Sequence, residues 1–243
     1  MQKRNDLVYL TAFKDQAVLI RVLEYFGFKT TGTISLDEQI YEKALPRGLL
    51  IPDAGADLFD LARTNYPRFV GRPPANAYCV PIKGEYHDVL FPELAIRIQG
   101  DLFHSLGVSV SDHAARTPGN TIRKVYLCRA PIKGPTPGSV LLFYRSKSPG
   151  YVESQSVTSV GIVEAVTDAH SLEELVRLTA RRSVYSTSQL EGFSVSRSNP
   201  VKVIDFLLIG HLDPSMPLAD LKREGVLSSP PVFPFCWRSS SRN

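Results

Sequence analysis

An α+β fold is expected, in two β-rich pieces of unequal size, and three features of the sequence say so. Apolar runs of strand length recur at 7–13, 77–82, 124–128, 139–144, 156–166 and 201–208, separated by turn-forming residues. Helical spacing of apolar residues is confined to short stretches, such as 17–26. Between the first and second of those runs, Pro46, Gly48, Pro67, Pro73 and Pro74 break the pattern. The expected organisation is therefore a first piece at 1–46, a linker at 47–76, a main domain at 77–225 and a disordered tail at 226–243, which is rich in Ser and Pro.

In chain order, the continuous apolar run at 7–13 has the composition of a buried strand. Asp15 stands where a helix N-cap would, and Val18, Leu19, Val22, Leu23 and Phe26 follow at spacings of three and four. That spacing predicts a helix with those five residues on its buried stripe, closed by Gly27 just past its end. Two short strands follow, at 28–30 and 39–45. A helix is expected near 57–66, stopped by Pro67, and a strand at 77–82 opens the main domain and runs into the polar-aromatic stretch 83–93. Residues 100–121 have loop composition.

The main domain is centred on 123–190: a strand at 124–128, a Pro/Gly turn at 133–138, strands at 139–144 and 156–166, and a short helix from Ser171. Val201 to Leu208 makes a closing strand, with a short helix at 218–224. The strand ending LLFYRSK, the Gly161-Ile162-Val163-Glu164 strand and the segment Arg181-Arg182-Ser183-Val184-Tyr185-Ser186 resemble the ASCH/EVE group of the PUA-like superfamily. That resemblance implies a small β-barrel with short helices that binds RNA or modified nucleic acid. The GxKxxExR signature of many ASCH domains is not visible, so no pocket residue is carried over from it.

The first piece, strand, helix, Tyr25-Phe26-Gly27-Phe28 and a strand at 40–43, is similar to the last part of a GNAT acetyltransferase. In that family a tyrosine near the start of this helix often acts as general acid. Here the helix starts Asp15-Gln16-Ala17, while Tyr25 lies at its far end and Tyr9 in the strand before it. The family's acetyl-CoA site also needs an earlier Gly-rich turn that holds pyrophosphate on backbone N–H groups, and this sequence has no such turn ahead of Met1. Acetyl-CoA is thus expected only under an alternative reading, an acetyltransferase completed by another chain. A protein partner covering this fragment is expected for the same reason. The order of the pieces resembles a PIN nuclease–GNAT–PUA-like architecture, of which this chain would be the C-terminal part; a degenerate, toxin–antitoxin-like module is a further alternative.

The chain has 28 Lys and Arg against 24 Asp and Glu, a net charge of +4, which is compatible with nucleic acid without requiring it. Cys79, Cys128 and Cys236 are three and widely spaced, which gives neither a CxxC metal pattern nor a disulfide framework. A reducing, cytoplasmic location is expected, with no membrane span. Basic residues interleaved with tyrosines make the candidate RNA surface: Arg123, Lys124, Arg145, Lys147, Arg181 and Arg182 for phosphate, with Tyr144 and Tyr185 for stacking. Arg129, Lys133, Tyr126 and Tyr151 belong to the same pattern. Competing clusters are weaker. His87 with Glu85 and Asp88 has the residue types of an acid–base or metal site, but neighbours on a strand point to opposite faces, and His104 and His113 lie in a loop. Ser183, Ser186 and Ser188 lack a nucleophile elbow. Glu164 has two readings open, a base-edge acceptor in a pocket or a solvent-facing strand residue. No catalytic, metal or cofactor residue is assigned, and the function expected is non-catalytic nucleic-acid binding.

Overall fold

Seven residues without a charge form β1 (Leu7–Phe13), and their alternation sends Leu10 and Ala12 to one side of the sheet. The computed structural model describes residues 7–45, 50, 52–67, 76–94, 121–129, 135–147, 154–179, 182, 184–231 and 237–238. The chain divides into two units, 1–74 and 75–243.

In the first unit β1 is followed by α1 (Ala17–Tyr25), β2 (Lys29–Thr33), β3 (Glu38–Ala44) and α2 (Leu58–Thr64). The three strands form an antiparallel sheet in the order β1-β3-β2. Its small core joins Ala12, Leu23 and Tyr41, with Leu10, Ile20 and Phe28 against them. The apolar stripe expected on α1 is split. Leu23 is buried, but Val18, Leu19 and Val22 are exposed, because Ile20 and Leu23 are the side chains that meet the core of this thin sheet. The N-cap also differs from the expected Asp15. It is Gln16, whose side chain accepts from the Phe13 N–H at 3.1 Å. Helix α2 lies in the stretch expected as a linker and begins at Asp57, which caps the Asp60 N–H at 3.0 Å. Gly27 has φ +81°, and a Cβ there would stand 2.4 Å from the Thr64 carbonyl oxygen of α2. Its lack of a side chain is what lets the turn after α1 approach α2.

The second unit contains β4 (Ala77–Ile82), α3 (Gly84–Leu90), β5 (Arg123–Cys128), β6 (Val140–Arg145) and β7 (Ser156–Ala169). It continues with α4 (Leu172–Thr179), α5 (Thr187–Glu191), β8 (Val201–Pro217), α6 (Leu218–Arg223) and β9 (Trp237–Arg238). The result is a mixed α+β fold on one six-stranded sheet, ordered β5-β8-β7-β6-β4-β9. Pairing is antiparallel throughout except between β4 and β6, which run parallel. The tail expected to be disordered contributes to it: Leu227 is buried, and Trp237–Arg238 pair with β4. Strands β7 and β8 carry the fold, and their register shifts at Val157/Ser159, Val160/Gly161 and Val163/Ala165. Each shift adds twist and bend to the pair.

Alternation along β5 and β8 serves two cores on opposite faces. Tyr126 and Cys128, with Ile204 and Phe206, belong to the side of Phe91, Leu141 and Phe143. Val125, Leu127 and Val203 belong to the side covered by Leu175 of α4 and Leu190 of α5. On the first side the Phe91, Phe143 and Phe206 rings pack in series, with centroids 5.0 and 4.7 Å apart. Gly161 makes that possible, since a Cβ there would come 2.7 Å from the Phe206 ring and 3.2 Å from Phe143.

Two substitutions test these close approaches. Gly161→Ala should lower unit 2 stability by about 1–3 kcal/mol through overpacking, and Gly27→Ala should destabilise unit 1 by a similar order. Urea unfolding followed separately by Trp fluorescence and by backbone NMR of each unit reads both; an unchanged midpoint in either would refute that contact.

Candidate nucleic-acid interface

Where β4 ends, the chain turns at Lys83 into α3, and this corner forms one wall of a cavity of about 600 Å³. Pro81, Ile82, Lys83, Tyr86 and Leu90 make that wall, and Val125, Tyr126, Leu127 and Arg129 from β5 and its end make another. The third comes from 184–193: Val184, Tyr185, Gln189, Gly192 and Phe193. The lining is dominated by aromatic and aliphatic side chains, with few polar groups, as small-ligand sites are built. Three rings form a continuous row: Tyr86 and Tyr185 have centroids 5.1 Å apart, and Tyr185 and Phe193 5.0 Å. The Arg129 guanidinium lies 5.4 Å from the Phe193 centroid, a cation–π distance. Lys83 and Arg129 are exposed.

Local sequence explains the third wall. Ser186 is the N-cap of α5, and its hydroxyl accepts from the Gln189 N–H at 3.3 Å while the Gln189 side-chain oxygen accepts from the Ser186 N–H at 2.9 Å. This capping box fixes the turn that presents Tyr185 on one side and Phe193 on the other. It also gives the Ser186–Ser188 cluster a structural task. With the Gln189 oxygen engaged, its NH₂ group is what remains to donate to a ligand. Burial beside Tyr86 and Glu85 pushes the Tyr185 phenol up to about 12, so it stays neutral and keeps its O–H.

The residues expected to form an RNA surface part company. Tyr185 lines the cavity, and Lys147 is exposed after β6. Arg123 is half-exposed but binds Glu164 through two hydrogen bonds, at 2.9 and 2.6 Å. That pair engages the Glu164 carboxylate, which faces Arg123 across the sheet. Arg182 is ion-paired with Asp205 and donates to the Leu178 carbonyl at 3.1 Å. Burial raises the Asp205 carboxyl, with Arg182 opposing. Lys124, Tyr144 and Arg145 correct the sequence reading: all three are buried, at 1%, 1% and 3% exposure, so none is placed to touch a phosphate or a base. Tyr144 and Arg145 are neighbours on β6 and both are buried, because this strand is covered on its two sides, which a basic composition alone does not reveal. Arg181, Lys133, Tyr151, His104, His113 and Ser183 lie outside the described residues.

His87 is the residue most misjudged from sequence. It stands on α3, not on a strand, and is fully buried. Arg145 donates to its Nδ1 from Nε at 3.2 Å and from Nη2 at 3.0 Å, and Arg145 also binds Asp88. Both the ring nitrogen and the carboxylate accept from one guanidinium, which is why they lie only 3.4 Å apart. His87 Nε2 meets the Thr158 hydroxyl at 2.7 Å. Burial holds the His87 imidazole below its ordinary value, with Asp88 opposing and Arg145 assisting. Burial pushes Asp88 up, but His87 and Arg145 outweigh it and hold the carboxyl low. In the first unit, Tyr25 carries the Arg63 guanidinium 4.2 Å from its ring centroid, which builds it into the packing of α1 on α2.

No family model matches the sequence, and no curated protein matches it. Solved structures of ZmASCH from Zymomonas mobilis are similar to part of it. One mutant form is 14% identical and covers 70% of this chain and 92% of that one, with a TM-score of 0.45. A second mutant form is 14% identical over 68% and 91%, at 0.43, and ASCH from the same organism is 15% identical over 68% and 88%, at 0.41. Among the described residues no helix is long and apolar enough to cross a membrane, and no group of His, Cys, Asp and Glu is arranged to hold a metal ion.

The pH dependence of unit 2 follows from His87. Its folded value lies below the ordinary 6.5, so near and below that pH the unfolded chain binds a proton that the folded chain refuses. Stability is then full only well above the ordinary 6.5 and falls as pH drops through it. Asp88 acts in the same sense, its contribution being lost as pH falls through its lowered folded value. Urea midpoints should decline steadily between about pH 7.5 and 5.5; a flat profile would mean that the site accepts an imidazolium.

Proposed function

We propose that unit 2 is a non-catalytic nucleic-acid-binding domain that takes an unpaired base of RNA into the cavity between α3, β5 and α5. One observation carries the reading: three aromatic rings, Tyr86, Tyr185 and Phe193, stand in series along a cavity whose exposed cations are Lys83 and Arg129. Single-stranded RNA is recognised by stacking splayed bases on aromatic and guanidinium planes while basic groups hold the backbone. An apolar cavity of about 600 Å³ is large enough for a base and its sugar. Lys83 and Arg129 supply the phosphate contacts, with Lys147 as a further exposed cation. The Gln189 amide offers a donor for a base edge. The similarity of 123–186 to the ASCH/EVE group in sequence supports the same reading.

Fluorescence anisotropy with a single-stranded RNA, an RNA hairpin and matched DNA tests it. RNA-preferring binding that survives moderate salt is expected. Tyr185→Ala should weaken it by about 1–3 kcal/mol, the usual worth of one stacked base. Replacing both Lys83 and Arg129 by Ala should lower the salt slope by about one to two. Arg182→Ala, whose guanidinium is already paired with Asp205, should change affinity less. Equal, salt-fragile binding to every probe, unmoved by Tyr185→Ala, would overturn the reading.

A further inference from the structure

Behind the cavity, a row of buried polar side chains crosses unit 2 from Asp88 to Lys124, and nucleic-acid binding makes no use of it. After the His87–Thr158 contact, the Thr158 hydroxyl lies 3.3 Å from the Ser159 hydroxyl and 3.4 Å from the Phe143 carbonyl. Ser159 in turn meets His211 Nδ1 at 2.9 Å. His211 Nε2 faces Glu93 at 3.8 Å, and Lys124 Nζ faces the other oxygen of Glu93 at 3.6 Å. His87, Thr158 and Ser159 are essentially without solvent exposure, whereas Asp88 and Glu93, at the two ends, are each about one-third exposed.

The row has a direction. Arg145 has no acceptor and keeps its protons, so His87 Nδ1 must accept. His87 is therefore the neutral Nε2–H form, and Thr158 accepts from it. The Thr158 proton has two acceptors within reach, the Ser159 oxygen and the Phe143 carbonyl. Which one it takes depends on Ser159, and Ser159 depends on His211. When His211 is neutral with Nε2–H toward the Glu93 carboxylate, Ser159 donates to Nδ1 and accepts from Thr158. A proton taken up at His211 Nδ1 reverses this. Nδ1–H then donates to Ser159, Ser159 donates to Thr158, and Thr158 turns its proton to the Phe143 carbonyl.

We propose that this row is a proton-linked switch, in which protonation of His211 flips the Ser159 and Thr158 hydroxyls and is felt at His87 on α3. Among the described contacts, two charged groups bear on it. Glu93 favours the charged His211, and Lys124, buried beside the same carboxylate, opposes it. The Phe91 ring touches both histidines edge-on, 5.7 Å from His211 and 5.1 Å from His87. The Glu93 oxygen facing His211 is buried with no hydrogen-bond partner among the described residues, and it stands opposite the ring nitrogen that carries a proton in both forms of His211. At the far end, Arg145 holds His87 in one tautomer, so it reports the change without titrating. Because α3 also carries Tyr86 and Leu90, the switch acts on a helix that walls the cavity.

The experiment is a pH titration of the full chain by ¹⁵N-edited histidine NMR, with ring resonances assigned through their side-chain correlations. His87 should remain the Nε2–H tautomer, and its Nε2 and Hε2 shifts should step at the midpoint at which His211 titrates. Ser159→Ala should abolish the His87 step while His211 still titrates, and Thr158→Ser, which keeps the hydroxyl, should retain it. Three results would overturn the proposal: a His87 signal that stays flat through the His211 titration in the wild type, a step that survives Ser159→Ala unchanged, or His87 protonated at Nδ1. The wild-type titration decides the matter even if a variant fails to fold, and none of these readouts depends on a nucleic-acid ligand.

Discussion

A guanidinium cannot give up its charge, and burying one is tolerable only if its donors are satisfied. Arg145, at the end of β6, meets that demand with two partners from α3, the His87 ring and the Asp88 carboxylate. The consequences spread outward. Helix α3 is tied to β6, the strand that runs parallel to β4, so the β4–α3 corner is fixed at both ends. Tyr86, one residue before His87, is thereby held at the cavity wall. The protonation form of His87 is chosen as well, and with it the sense of the hydrogen bonds that continue to Thr158.

A bulge makes the rest of that row possible. The register of β7 shifts between Val157 and Ser159 against β8, and its pairing with β6 jumps from Phe143↔Ser159 to Tyr144↔Val157. Thr158 is thus the extra residue against β6, while on the other side it is β8 that carries the extra residues, 212–215, between the partners of Val157 and Ser159. In a regular strand Thr158 and Ser159 would point to opposite faces; here their hydroxyls lie 3.3 Å apart. Bulges are known to redirect side chains in this way. The distortion leaves the sheet intact because β7 and β8 continue pairing for most of their length, with the Phe143–Phe206 packing over Gly161 just beyond it.

The cavity and the polar row divide α3 between them. Tyr86 and Leu90 face the cavity with the aromatic wall, while His87 and Asp88 face Arg145 and the strand interior. Side chains about four apart share a helix face, as Tyr86 and Leu90 do, while His87 and Asp88 follow one another around the helix toward Arg145, so a single short helix can serve an apolar site and a buried polar one. A β-strand at 83–93 would have kept Tyr86 and Leu90 on one face but sent His87 and Asp88 to opposite faces, so the two could not both meet Arg145.

The sequence by itself determined the elements. Strands at 7–13, 77–82, 124–128 and 139–144, the helix after Asp15, and the closing strand from Val201 were all legible, since apolar spacing and Gly/Pro punctuation are local properties. It also pointed to Tyr185 among its candidates. It did not separate a surface cation from a buried one: Arg123, Lys124 and Arg145 carry the same charge, but exposure depends on which face of a strand is covered and by what. Tertiary structure alone decided that Lys124 and Arg145 belong to the interior, and that Tyr86 joins the nearby pair Tyr185 and Phe193 from a distant part of the chain. It alone also placed His87 opposite Thr158, because a one-residue bulge and a helix–strand contact leave no periodic trace in the sequence.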